Sequence, residues 1–239
     1  MSKDQNARRY WSDELEPYPA PLDLPSDHTR ADVPALVGKS FWHRIDGELS
    51  TQLQAIGRKS GATNFVVFLS LWFAILHRLS AADDVVVGTP VSGRTSAKFA
   101  ATVGDLFNLL PIRLRDVSSL TFADLLQSVK SKVLEAMNRQ DYPLPLMVRN
   151  ASGAGMQGQP PFQTTFALQD FTRQTPLQAI LLAEDGDTAT YRGLNLGPYR
   201  FEQQEGQFEL SLDVWPDDRG VRCCWRYDSS LFDESLIEA

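Results

Sequence analysis

The most sustained apolar run in the chain covers residues 65–76 and is broken only by Ser70. It lies inside a helix expected over residues 63–79. Apolar side chains there fall on nearly every face, so the pattern predicts a helix enclosed by other elements. The run is too short to cross a bilayer. A second helix is expected over residues 121–138, with Thr121 as its cap and Asp124 at the third helical position. Phe122, Leu126, Val133 and Met137 are expected near its buried side, and Leu125, Val129, Lys132 and Ala136 along its path. Shorter helices are read over 7–15, over 49–59 (Leu49, Leu53 and Ile56 near one stripe, Gly61 closing it) and over 231–239.

Between these lie runs with strand character. Residues 40–46, 85–87, 109–114, 162–168, 208–214 and 220–227 carry β-branched or aromatic content, and the last two read as a hairpin. Residues 191–199 offer further short strand or turn material. Gly88, Pro90 and Gly93 predict a loop directly after residue 87, and the Gly/Pro-rich stretch 151–161 predicts another. Pro111 argues that its strand is an edge or is bulged. Pro17, Pro19 and Pro21 make residues 16–34 an extended surface arm anchored by Leu22 and Leu24. The fold class is therefore α/β (α+β), a mixed sheet packed against long helices. The alternation is too irregular for a barrel of eight repeated units.

Composition narrows the function. Lys and Arg number 23 against 30 Asp and Glu, a formal net charge of −7, which argues against a broad nucleic-acid footprint. Hydrophobic residues at 43% and charged residues at 22% are globular values. The N-terminus has charges but no apolar core, so it is not a secretory signal. Two cysteines cannot build a disulfide framework, and a reducing, cytoplasmic setting away from membranes is expected.

Candidate chemistry is sparse. His28 and Asp32 have an H-x-x-x-D spacing, and an acid four residues away can orient an imidazole, but the pair sits in the proline-rich arm. His43 is followed by Asp46, which an extended chain turns to the opposite face. His77 falls at a helix end, where terminal carbonyls are its natural partners. Three isolated histidines without clustered acids leave no metal site. Cys223 and Cys224 are adjacent and on a strand face opposite sides; one buried and one half-exposed thiol are expected. Residues 88–94, Gly-Thr-Pro-Val-Ser-Gly-Arg, lack the ending of a phosphate loop and read as a tight surface loop or one facing a tunnel or partner. Asn108, just before an apolar strand with Pro111 and Arg113, has both donors and an acceptor. It can tie a loop to a backbone or orient an amide substrate.

Several segments, taken in order, resemble the condensation domains of nonribosomal peptide synthetases. They are Tyr10-Trp11-Ser12-Asp13-Glu14-Leu15, Leu22-Asp23-Leu24-Pro25-Ser26-Asp27-His28, residues 84–94, residues 103–113 with Asn108, Gln140-Asp141-Tyr142-Pro143, residues 161–166, residues 208–212, and Tyr227. The resemblance implies a chloramphenicol acetyltransferase-like lobe. Complete members of that family join two such lobes around a tunnel that receives two carrier-protein arms. The family's histidine signature (two histidines, three residues, aspartate, glycine) belongs to the first lobe and does not occur in these 239 residues.

By this resemblance, residues 1–239 are a C-terminal lobe only, residues 1–36 its N-terminal helix and proline-rich arm, and residues 161–200 the interlobe crossover. Gly104 and Asn108 shape the tunnel or interlobe region, with Gln163 and Ser211 near it. No residue is assigned to catalysis, to a metal or to a directly bound cofactor. Substrates arrive on phosphopantetheine arms. The implied partners are an N-terminal condensation lobe and the upstream and downstream peptidyl carrier proteins, with self-association through an exposed interlobe face. The isolated chain is expected to be inactive, whether an excised piece, a natural split protein or a relic. The alternatives are a non-catalytic carrier-binding scaffold and an autonomous acyltransferase using His28 or His43.

Overall fold

The computed structural model describes residues 3–30, 37–99, 101–151, 159–169, 180, 186–199, 207–217 and 219–238. In chain order the elements are α1 (Lys3–Glu14), β1 (Gly38–Asp46), α2 (Gly47–Ser60), α3 (Asn64–Ser80), β2 (Val85–Val91), β3 (Asn108–Leu114), α4 (Phe122–Met137), α5 (Leu144–Ala151), β4 (Thr164–Leu168), β5 (Ala189–Tyr191), β6 (Leu194–Leu196), β7 (Leu210–Asp217), β8 (Gly220–Asp228) and α6 (Glu234–Glu238). They divide between two compact units. One holds residues 1–26 and 52–167; the other holds 27–51 and 168–239.

In the first unit β2 runs antiparallel to β3 and parallel to β4, so the sheet is mixed. Val85, Val86 and Val87 are buried, as expected of a central strand. Helix α3 starts where Thr63 accepts the Val66 N–H and ends at Ala81 in a left-handed conformation. Its side chains Val66 to Leu69, Trp72, Phe73 and Leu76 are buried, and the neighbouring Phe65 meets Phe166 of β4 edge-on. Thr121 caps α4 through the Asp124 N–H, as the sequence predicts. Its buried stripe is Leu125, Leu126, Val129 and Ala136, whereas Phe122 and Met137 are exposed. On α1, Trp11 is fully buried, Leu15 is buried just beyond the helix end, and Leu22 and Leu24 anchor the following arm. Arg113 of β3 is 1% exposed. Its guanidinium donates to Asp84 Oδ1 (2.8 Å) and to the carbonyls of Glu14 (3.0 Å) and Pro17 (2.8 Å). A buried cation is tolerable only when its donors are satisfied in this way.

Strand β2 continues through Gly88 and Pro90, where a loop is expected from sequence. The Phe162 ring lies over Gly88, and a β-carbon there would come within 2.3 Å of it. Gly88 is therefore a packing glycine within the strand rather than a turn glycine. Pro90 sits near the strand end, where a missing donor costs least.

In the second unit β8 lies between β1 and β7, antiparallel to both. One sheet face is apolar, with Leu210, Leu212, Val214, Val221 and Cys223 buried. The other stacks Trp42 on Trp215 (5.3 Å between ring centroids) and places the Arg222 guanidinium 4.3 Å from the Trp42 ring. The Arg44–Asp217 and Arg226–Asp213 ion pairs flank this stack. The two thiols do face opposite sides, but both are buried, Cys223 at 4% and Cys224 at 3% exposure, because both faces of β8 are covered there. Burial pushes Cys223 up to about 11; burial, with help from the Asp213 charge, pushes Cys224 up to about 12. Arg30 forks onto Glu209, and Asp27 accepts the Asp233 N–H. Strands β5 and β6 form a short hairpin. Of residues 151–161 and 161–200, positions 152–158, 170–179, 181–185 and 200 lie outside the described residues. Among the described residues no single helix is long and apolar enough to cross a membrane.

Candidate functional site

A cleft of the first unit forms where β2 ends and β3 begins, at the Val91–Asn108 pairing. Immediately beyond, the chain crosses itself. Gly93 has φ +63°, and a β-carbon there would lie 1.7 Å from the Leu106 carbonyl oxygen. Only glycine fits both the backbone conformation and the contact. The cleft beside this crossing has a volume of about 380 Å³. The β2–β3 loop contributes Gly93, Thr95, Phe99, Leu106 and Phe107 to it, and the α4–α5 connection contributes Gln140, Asp141 and Pro143. Asn108 is the remaining lining residue.

Asn108 ties these segments together. Its Nδ2 donates to the carbonyls of Gln140 (3.0 Å) and Tyr142 (2.9 Å), and its Oδ1 accepts the Leu144 N–H (3.0 Å). Both amide donors and one acceptor position are used on main chain, so of the two uses read from sequence the structure realises the backbone tie. Asn150 Nδ2 then donates to the Tyr142 hydroxyl (2.7 Å), fastening the same segment to α5. No imidazole or thiol lines the cleft.

The other sequence-selected residues fall elsewhere. Gly104 is exposed in the β2–β3 loop at φ +143°, with open space around a notional β-carbon. Gln163 precedes β4, and its Oε1 accepts the Leu22 N–H (2.9 Å), holding the proline-rich arm. Thr164 pairs with Val87, so Gln163 lies several residues of strand away from the Asn108 end of β2. Ser211 is buried on β7 opposite Arg226, in the second unit. The structure thus places Gly104 and Asn108 in one connected segment and does not bring Gln163 to it.

The histidines are equally scattered. His28 Nε2 is 3.1 Å from Asp233 Oδ1, with both side chains half exposed; Asp32 lies outside the described residues. His43 is exposed on β1 opposite Cys223. His77 Nδ1 meets the Ala82 carbonyl (2.8 Å), just past the end of α3. Among the described residues no group of three His, Cys, Asp or Glu side chains could hold a metal ion. Two residues received no role from sequence and have one here, Arg113 and Arg94. The signal for Arg113 was a charge in the otherwise apolar 109–114 run. The signal for Arg94 was its place after Gly93 in a segment that also resembles the family.

Comparison with known proteins agrees with this framework. The family model described as "Condensation domain" matches residues 1–239. Bacitracin synthase 3 of Bacillus licheniformis is 30% identical over 239 residues, covering 99% of this chain and 4% of the relative. Phosphinothricin tripeptide synthetase PhsC of Streptomyces viridochromogenes is 30% identical over 230 residues, covering 96% of this chain and 20% of the relative. The chain therefore spans only a small part of these curated relatives. Among solved structures, a four-domain nonribosomal peptide synthetase bound to AMP and glycine superposes with a TM-score of 0.91 at 22% identity, over 100% of this chain and 18% of that one. The first condensation domain of the calcium-dependent antibiotic synthetase superposes with a TM-score of 0.73 at 20% identity, over 100% of this chain and 49% of that one. With a family model matching from the first residue to the last, the chain belongs to the condensation-domain family.

Proposed function

We propose that this chain is the C-terminal lobe of a nonribosomal peptide synthetase condensation domain. In this reading it supplies the acceptor-side tunnel wall and a carrier docking surface, and it forms no amide by itself. Residues 1–36 are the entry helix and arm, and residues 161–200 cross to the N-terminal lobe. The reaction joins two carrier-bound thioesters. The acceptor amine attacks the donor thioester carbonyl, a C–N bond forms, the C–S bond breaks, and the released thiolate takes up a proton. The substrates ride on phosphopantetheine arms, and the N-terminal lobe brings the imidazole that manages the proton.

The observation that carries this reading is one of length. All of this chain aligns to about half of an isolated condensation domain, 49% of the calcium-dependent antibiotic synthetase domain. The missing histidine signature supports assigning the chain to the second half. So does the cleft, whose lining holds amides, one carboxylate and aromatic rings but no imidazole.

Mixing the purified chain with donor- and acceptor-loaded carriers, with and without a complementary N-terminal lobe, tests the proposal. Amide product is expected only when both lobes are present. Product from this chain alone that is lost in His28→Ala or His43→Ala identifies an autonomous acyltransferase and overturns it. Carrier binding without product in the presence of a lobe known to be competent identifies a scaffold instead.

A further inference from the structure

Beyond β2 the chain makes a long excursion, residues 92–107, before returning as β3. Among its described residues the regular structure is limited to one 3₁₀ turn, Ala97–Phe99. Loops of this length without strands or helices of their own are usually mobile unless something inside them supplies order. Here Phe99 and Phe107 are largely exposed, so burial of apolar side chains does not hold the loop.

Arg94 does. Its Nη1 donates to the carbonyls of Phe99 (2.6 Å) and Thr102 (2.9 Å), and its Nη2 lies 3.3 Å from the carbonyl of Gly104. Three carbonyl dipoles spread along the loop are thus aimed at one cation. Without it they would repel one another and turn to water. A guanidinium suits the task because its donors are fixed in a planar fork, whereas an ammonium is a single point. The anchor itself is rigid, since Arg94 follows Gly93, which is pinned under the Leu106 carbonyl.

We propose that Arg94 is a positioning residue: its guanidinium gathers the carbonyls of Phe99, Thr102 and Gly104 and so fixes the loop wall that Phe99, Leu106 and Phe107 present to the cleft. It touches no substrate and acts through those three side chains. The order of the loop stands independently of the proposed function; only its consequence for catalysis rests on that reading.

Amide hydrogen exchange on the full chain tests the inference. The Phe99 and Thr102 amides donate to the carbonyls of Ser96 and Phe99, so they report on the loop. In Arg94→Ala they are expected to exchange about tenfold faster, while the amides of α3 and α4 keep their wild-type rates. Arg94→Lys should fall between the two. Millimolar ethylguanidinium should restore protection to Arg94→Ala, and ethylammonium at equal concentration should not. Wild-type protection in Arg94→Ala overturns the proposal. So does equal rescue by the two cations, or faster exchange spread through α3 and α4, which would make Arg94 a determinant of general stability. In the two-lobe reaction, Arg94→Ala should raise KM for the acceptor carrier and leave kcat within about twofold. If the wild-type lobes make no product, the proposed function fails, while the exchange data still decide the role of Arg94.

Discussion

Replacing Asn108 tests the architecture of the cleft most directly. Asn108→Ala removes three hydrogen bonds and leaves the Gln140 and Tyr142 carbonyls and the Leu144 N–H without their side-chain partner. At about 1 kcal/mol net for each bond, and with all three sites half buried, the cost is about 2–3 kcal/mol. Asn108→Asp is the sharper perturbation. It keeps an acceptor for Leu144 but turns a carboxylate oxygen toward two carbonyl oxygens where an NH2 had donated. Those carbonyls disfavour the charged form, so the introduced carboxyl should titrate above its unfolded value of about 3.9. A group with a raised folded pKa contributes stability that is fully present below the unfolded pKa and lost as pH rises through the folded one. Measured against wild type at each pH, Asn108→Asp should therefore lie closest to wild type below about pH 4 and fall below Asn108→Ala near pH 8. Urea unfolding reads this directly. With a slope of about 2 kcal/mol/M, the alanine change moves the midpoint down by about 1–1.5 M. An Asn108→Asp protein as stable as wild type at pH 8 would refute the reasoning, because the atom facing the carbonyls would then not be a donor.

Two glycines in the same loop should respond differently. Gly93→Ala must relieve both a left-handed backbone and the contact with the Leu106 carbonyl, so a loss of about 2–3 kcal/mol and faster exchange at Phe107 are expected. Gly104→Ala meets only its backbone conformation, since nothing lies within 4 Å of the added carbon, and should cost about 1 kcal/mol; equal losses in urea midpoint would contradict this. With the thiols of Cys223 and Cys224 held at about 11 and 12, a disulfide reagent at pH 8 should label neither in the folded chain and both in denaturant. The same raised values make their contribution to stability complete below about pH 8.5 and lost as pH climbs toward 11–12, readable as a falling melting temperature; rapid labelling of the folded protein would contradict both statements.

What could be read from the sequence was mostly what is local. Thr121 caps α4, as the sequence predicts, because a hydroxyl and an N–H three residues on are enough to start a helix, whatever lies around it; Thr63 caps α3 in the same way, a cap not predicted from the sequence. Which stripe of α4 is buried is not local. Apolar side chains occupy more than one of its faces, and the position of the sheet selects Leu125, Leu126, Val129 and Ala136 over Phe122 and Met137. The extension of β2 past Gly88 depends on Phe162, far away in the chain, lying over the glycine. Helix α5 escaped notice because it is only Leu144–Ala151, although Pro145 in its first turn is a position that helices favour. The thiol pair divides in the same way. Opposite facing follows from adjacency on a strand, whereas the burial of both depends on what covers the two faces of β8, including the Trp42–Trp215–Arg222 cluster.

Four polar residues within the family-like segments share a further property. Arg94 donates to the carbonyls of Phe99, Thr102 and Gly104. Asn108 bonds the main chain of Gln140, Tyr142 and Leu144. Arg113, besides its pair with Asp84, donates to the carbonyls of Glu14 and Pro17, and Gln163 accepts from the Leu22 N–H. These four side chains are each engaged with backbone. A buried or half-buried carbonyl that must be satisfied constrains residue type much as a reacting atom does, and it leaves a similar trace in sequence: a polar donor in an apolar setting. In the proposed reading, Arg94, Asn108, Arg113 and Gln163 hold the loops and the arm of a shaped wall rather than handle a proton. That is what the proposed division of labour requires, with the wall on this chain and the imidazole on its partner.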